Sequence, residues 1–299
     1  MSRPRKAAKP RTPPQAQAPA VVKAQAAALA TGSPTTGPAV PPVPHAVLSV
    51  DIGGTHVKAL LSGHPDAEAR RFDSGPALTP AEMVRGVLAL CAAEPAWTFD
   101  AVSMGYPGPV LHGQPVRDPA NLGAGWVGFD FAGAFGQPLK IVNDAAMQAL
   151  GGYAGGKMLF LGLGTGLGSA LIVDGIVEPL ELAHLPYRKH TFEDYVGLRG
   201  LKKHGKKKWR HQVLDVVAQL SAALLPDAVV LGGGNAKLFE DHLDDLPPQV
   251  RLGDNANAFT GGFRLWDDVV NARPVAPVSD TTPPAPPPSA PGTPRQETP

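Results

Sequence analysis

The pattern of apolar runs and glycine turns in this chain is written twice, and that constrains the fold more than any other feature. His45 to Val50 (HAVLSV) runs into Asp51-Ile52-Gly53-Gly54-Thr55, and Val57 to Leu61 resumes the apolar run. Further on, Met158 to Leu163 enters Gly162-Leu163-Gly164-Thr165-Gly166-Leu167-Gly168, and Ser169 to Val173 resumes it. Each reads as strand, tight turn, strand. Arg70 to Phe72 and Ile176 to Glu178 are candidate third strands, the latter after an Asp174-Gly175 hairpin signal. Ala101 to Met104, Leu139 to Val142 and Ala228 to Leu231 are short buried strands. Thr79, Pro80 and Glu82 open a helix as N-cap, N1 and N3. A second helix is expected over Ala145 to Tyr153 with Asp144 as its cap, and a third over Trp209 to Leu225. The repetition suggests two mixed α/β lobes facing a cleft.

Composition sets the limits of the folded part. Of 34 prolines, 20 lie in residues 1–44 and 273–299, where too little apolar surface is available to offset ordering entropy. Both tails, 1–44 and 271–299, are expected to be disordered, leaving lobes at 45–143 and 144–270. The first tail carries Arg3, Arg5, Lys6, Lys9, Arg11 and Lys23 without an acid; a solvated tail is the simplest reading. The net charge of +1 argues neither for nor against an anionic partner. A single cysteine, Cys91, excludes an intramolecular disulfide or a cysteine zinc cluster and fits a reducing compartment. Apolar runs are too short to span a bilayer, and no secretory signal leads the chain, so the cytoplasm is expected.

The two glycine turns suit phosphate. Backbone N–H groups can approach an anion closely where no Cβ intervenes. Asp51 adds a carboxylate for a hydrated cation, Thr55 a hydroxyl, and Lys58 a charge. Gly162 to Gly168 lacks the Gly-Lys-Ser/Thr of a P-loop and the G-x-G-x-x-G order of a dinucleotide fingerprint. Asn143-Asp144 closes a strand at a helix start; it is either a plain cap or a sugar-binding amide beside a general base. Glu181, His184, Glu193 and Asp194 could read vicinal hydroxyls. Trp126 in the loop Asn121 to Trp126 suits a sugar face, or simply packs. Residues 195–214 hold Arg199, Lys202, Lys203, Lys206, Lys207, Lys208 and Arg210 without an acid, which would attract a multivalent anion or merely form a solvated face.

These motifs together resemble the ROK sugar kinases. Gly105-Tyr106-Pro107-Gly108-Pro109, Asn121 to Phe131, Glu193 to Gly200, Gly205 to Trp209 and Gly253 to Trp266 are similar, more narrowly, to the polyphosphate glucokinase branch. The resemblance spans about residues 46–266. It implies an actin-like ATPase fold of two ribonuclease-H-like lobes around a central cleft, and phosphoryl transfer from polyphosphate, also from ATP, to the 6-hydroxyl of glucose. It makes Asp144 the catalytic base. It puts Asn121, Asn143, Glu181, His184 and Glu193 around the sugar, and Gly53, Gly54, Thr55, Gly164, Thr165 and Gly166 at the phosphates. Gly233 and Gly234 would hold adenosine. Lys206, Lys207, Lys208 and Arg210 would track the polymer, and Mg²⁺ would sit near Asp51 as an outer ligand. A homodimer is implied, with neither nucleic acid nor membrane as partner. No structural zinc is expected, because the stretch before Glu193 lacks the family's cysteines. The family's Glu-x-Gly-His reads Glu181-Leu182-Ala183-His184, and that alanine could shift the loop if the glycine needs positive φ. The alternatives are an ATP-dependent glucokinase or glucomannokinase, and a sugar-responsive regulator without catalysis.

Overall fold

The computed structural model describes residues 44–63, 68–254 and 256–267. The expected disordered tails lie outside this range, apart from Pro44. The first half contributes β1 (Val47–Ile52), β2 (His56–Leu61), β3 (Arg70–Asp73), β4 (Ala101–Tyr106), a small hairpin β5 (Val110–Leu111) and β6 (Gln114–Pro115), and β7 (Leu139–Asn143). The second contributes β8 (Lys157–Leu163), β9 (Leu167–Val173), β10 (Ile176–Leu180), the hairpin β11 (Pro186–Tyr187) and β12 (His190–Thr191), then β13 (Ala228–Gly232) and β14 (Val250–Leu252). The two five-stranded sheets run β3-β2-β1-β4-β7 and β10-β9-β8-β13-β14. In each, the first three strands of the half are antiparallel and the next two join in parallel. The duplication legible in the sequence is therefore a duplication of topology.

Local chemistry explains the strands. β4 is buried at every residue, as a central strand covered on both faces must be. β2, next to the edge strand, alternates between buried and half-buried positions. Asp174 and Gly175 join β9 to β10 with φ of 49° and 83°, the backbone a type I′ turn demands.

Two expected helices differ from their sequence readings. The helix over Asp144–Gly151 is capped by Asn143, whose side-chain oxygen accepts from the N–H groups of Ala145 and Ala146. Asp144 occupies the first helical position instead, because Asn143 stands two and three residues before those donors, the spacing from which a side chain caps a helix. The long helix spans Leu198–Leu224 and bends at Gly205 (φ 75°), so it includes the basic run rather than beginning at Trp209. Lysine and arginine are good helix formers even where no apolar stripe marks them.

A last helix, Asn257–Arg264, returns from the second half to lie on β1, β4 and the helix Asp144–Gly151. Gly151 and Gly261 permit that approach: a Cβ on Gly261 would lie 1.7 Å from the Met147 carbonyl oxygen, and one on Gly151 would lie 1.9 Å from that of Asn257. Ser103 donates to the Gly262 carbonyl and accepts from Trp266 Nε1, and Arg264 donates to the carbonyls of Leu150, Gly151 and Tyr153. The final carbonyls of the helix that begins at Asp144 are thus satisfied by a cation.

Candidate active site

The two glycine turns are equivalent hairpins of the two sheets. Gly53 N–H donates to His56 O at 2.9 Å, closing the β1–β2 turn; Gly164 N–H donates to Gly166 O at 3.1 Å, closing the β8–β9 turn. Both line one cavity of about 660 Å³. Its wall includes Asp51, Gly53, Gly54, Lys58, Asn121, Asn143, Asp144, Gly164, Thr165, Gly166, Glu181, His184, Glu193, Gly233 and Gly234. Thr55 is absent from that wall; it is exposed, with Oγ1 3.2 Å from His56 Nδ1. Lys206, Lys207, Lys208 and Arg210 also lie outside it, on the long helix.

Asp144 is the electrostatic centre. Burial pushes its carboxyl up to about 7, and the charges of Asp51 and Glu181 add to the rise. One of its oxygens accepts from Ala145 N–H at 2.7 Å, which opposes the shift and orients the group. Asp51 is also raised by burial, with the Lys58 ammonium pulling it back. A carboxyl poised near neutrality inside a cleft can accept a proton from an alcohol at working pH. Asn143 uses its oxygen on the helix cap and one amide hydrogen on the Gly108 carbonyl, at 3.0 Å; the second hydrogen of that amide is the group available to a ligand.

Glu193 and Asn121 connect the polar loops to the glycine turns. Glu193 Oε2 accepts from Leu167 N–H at 3.3 Å, and a Cβ on Gly166 would lie 2.2 Å from that oxygen. Only glycine at 166 leaves room for the carboxylate. Asn121 packs against Gly54, where a Cβ would stand 3.5 Å from its own Cβ. Glu181 follows β10, whose end is held by Ser169: Ser169 Oγ donates to Leu180 O and accepts from Leu182 N–H. Ala183 is buried in a 3₁₀ turn, Leu182–His184, and is not among the residues with positive φ. Its methyl joins the core beneath the loop, so the alanine creates no left-handed strain.

Asp118, Arg117, Gln148 and Ser169 line the cavity and escaped the sequence reading. Asp118 accepts from the N–H groups of Gly125, Trp126 and Val127, which hold its carboxyl below the usual range and tie down the loop bearing Asn121. The Asp-Pro pair before that loop was the available turn signal. Trp126 is fully buried against Tyr106 and Phe131, so its role is packing.

Two lobes of repeated topology, a glycine hairpin from each, and a poised carboxylate between them define a two-lobed sugar-kinase cleft of the actin-like ATPase fold. The comparisons agree. Residues 47–178 match the model of the ROK family. Polyphosphate glucokinase of Mycobacterium tuberculosis is 31% identical over 225 residues, 67% of this chain and 83% of that protein. The Mycobacterium leprae polyphosphate glucokinase is 30% identical over 64% of each chain. The crystal structure of an inorganic polyphosphate/ATP-glucomannokinase from Arthrobacter sp. strain KM superimposes with a TM-score of 0.63 at 25% identity, over 75% of this chain and 98% of that one. A ROK family glucokinase from Streptomyces griseus shares the fold with a TM-score of 0.58 at 18% identity, over 74% and 98%. The chain belongs to the ROK family.

Proposed function

We propose that this protein transfers the terminal phosphoryl group of inorganic polyphosphate to the 6-hydroxyl of glucose, giving glucose 6-phosphate. The observation that carries the reading is Asp144, raised to about 7 at the base of a cavity that both glycine turns line. The sugar oxygen attacks the terminal phosphorus as Asp144 takes its proton, and the bond to the bridging oxygen breaks to release the shortened polymer. Asn143, Glu181, His184, Glu193 and Asn121 orient the sugar, while Gly54, Thr165 and Gly166 offer backbone N–H groups to the phosphates from turns that the Gly53 and Gly164 N–H groups close. Thr55 contributes through the shape of its turn rather than as a cavity-wall hydroxyl.

Asp51 suits an outer ligand of Mg²⁺: it is a buried carboxylate in the cavity wall, and donor phosphates and water would complete the shell. The ion, when bound, offsets negative charge on the donor. Polyphosphate as donor is favoured by the long helix. Leu198 N–H donates to Thr165 O at 3.1 Å, so the element carrying Lys206, Lys207, Lys208 and Arg210 begins on the phosphate turn itself. Lysines just after the Gly205 bend oppose the helix dipole unless an anion sits there.

ATP is a second donor in this reading, since Gly233 and Gly234 form part of the same wall. Gly233 has φ 79°, and a Cβ there would lie 2.7 Å from Leu163 O, so only glycine keeps that wall open. The test is glucose phosphorylation with purified protein and either donor, with mannose as competing acceptor. Turnover of glucose with polyphosphate is expected; turnover with ATP alone would leave the ATP-dependent glucokinase reading, and none with either donor would overturn both.

A further inference from the structure

Outside the cleft, Tyr195 gathers cationic side chains from two elements. It lies in the short helix Phe192–Val196, and its ring stacks on His204 at 5.7 Å and 12° between planes. The Arg188 guanidinium stands 5.9 Å from the same ring and 5.0 Å from that of Tyr187. Tyr187 and His190 complete the surround, with centroids 5.0 and 6.2 Å from Tyr195. Arg188 occupies the β11–β12 turn at φ 54°, a conformation for which such turns favour glycine. An arginine is kept there at a conformational cost.

The charges around this cluster are incompletely neutralised. Asp215 is engaged by the Tyr187 hydroxyl and by Arg188 at 3.2 Å, and Asp194 pairs with Arg199 at 2.8 Å. Among the described residues Lys203 and Lys208 make no ion pair. They flank the Gly205 bend; burial first, and then Lys208, Lys203 and Arg188, hold the His204 imidazole below its ordinary range. The cluster is also close to the cleft in chain terms. His204 is six residues from Leu198, whose N–H rests on the phosphate turn, a helical rise of roughly 9 Å.

We propose that Arg188, Lys203, His204 and Lys208 form a second phosphate-binding station for the trailing part of a polyphosphate chain whose end lies in the cleft, and that seating the chain there transfers a solvent proton to His204. The polyanion offsets the repulsion from the three neighbouring cations, and the imidazolium then lies over the electron-rich Tyr195 ring. No bond to phosphorus changes at this station. The inference rests on polyphosphate being a donor. It adds a chain-length preference that strengthens as pH falls.

The test compares dissociation constants of long-chain polyphosphate and tripolyphosphate between about pH 8 and pH 5.5. Taking the long-to-short affinity ratio removes effects common to both ligands, including titration of Asp144. In the wild type the ratio is expected to rise on acidification, by up to about tenfold per pH unit for one coupled proton. His204→Gln should flatten that slope. Lys203→Glu, at an exposed position, should lower the ratio at every pH. His190 also lies beside the Tyr195 ring, so His190→Gln is measured in parallel and should keep the slope. A flat wild-type ratio, or an unchanged slope in His204→Gln, overturns the station while leaving polyphosphate turnover intact. Absence of any polyphosphate turnover by the wild type overturns the donor reading and the station together.

Discussion

Asp144 carries opposing demands on activity and stability. As a base it must be ionised, so kcat/KM for glucose should fall as pH drops below about 7 and level off above it. Its raised folded value means that the folded state binds more protons than the unfolded one between the ordinary carboxyl range and about 7. Its ionisation therefore lowers stability as pH rises through that window. Asp144→Asn keeps an oxygen for the Ala145 N–H, and should lose about 10²–10⁴ in kcat. Its melting temperature at pH 8 should match or exceed that of the wild type, since a buried charge is removed. Robust turnover by this variant would sink the assignment of the base. Asn143→Ala removes the cap from the same helix at a cost of about 1 kcal/mol, and should reduce turnover as well, because the cap sets the direction of Asp144. Urea unfolding and glucose kinetics separate the two effects.

At the level of elements, two helices decide what the cleft can do. The helix Asp144–Gly151 touches the helix Asn257–Arg264 through Gly151 and Gly261. Gly261→Ala would force them apart, with an expected loss of about 1–3 kcal/mol in urea denaturation and a drop in kcat as Asp144 moves. The helix Leu198–Leu224 should control donor choice. Reversing the charges of Lys206, Lys207 and Lys208 to glutamate is expected to raise KM for long polyphosphate far more than KM for ATP. The polyphosphate KM of the wild type should also climb more steeply with added salt. Equal effects on both donors would show that the lysines are a solvated face.

At the scale of the whole molecule, the returning helix joins sequence-distant parts into one unit. It lies on β1 and β4 of the first sheet and on the helix leading into the second. Its fixed points are the Ser103 hydroxyl, the Gly262 carbonyl and the Trp266 indole, with Lys140 donating to Leu265 O. Fluorescence and far-UV circular dichroism should therefore report one shared unfolding transition. Ser103→Ala, which leaves the Trp266 N–H without its acceptor, should lower that transition. Among the described residues no helix is long and apolar enough to cross a membrane.

Much of this architecture was legible because it is local chemistry. Asp174-Gly175 demanded a primed turn, Thr79 to Glu82 a capped helix start, and each glycine run a hairpin that closes within a few residues. The double pattern of apolar runs followed from those signals, and both glycine turns are hairpins on one cavity. The rest depended on contacts between residues far apart in the chain. Asn143 rather than Asp144 is the cap because its side-chain oxygen accepts from the Ala145 and Ala146 N–H groups, while its amide hydrogen is held by the sequence-distant Gly108 carbonyl. Glu193 found room only because position 166 is glycine, and the basic run became helical with its start seated on Thr165 O. By itself the sequence determined two glycine turns and a carboxylate at the end of a strand. Only the tertiary structure raised that carboxylate's proton affinity toward neutrality, because the affinity is set by burial and by Asp51 and Glu181, which the fold alone brings beside it.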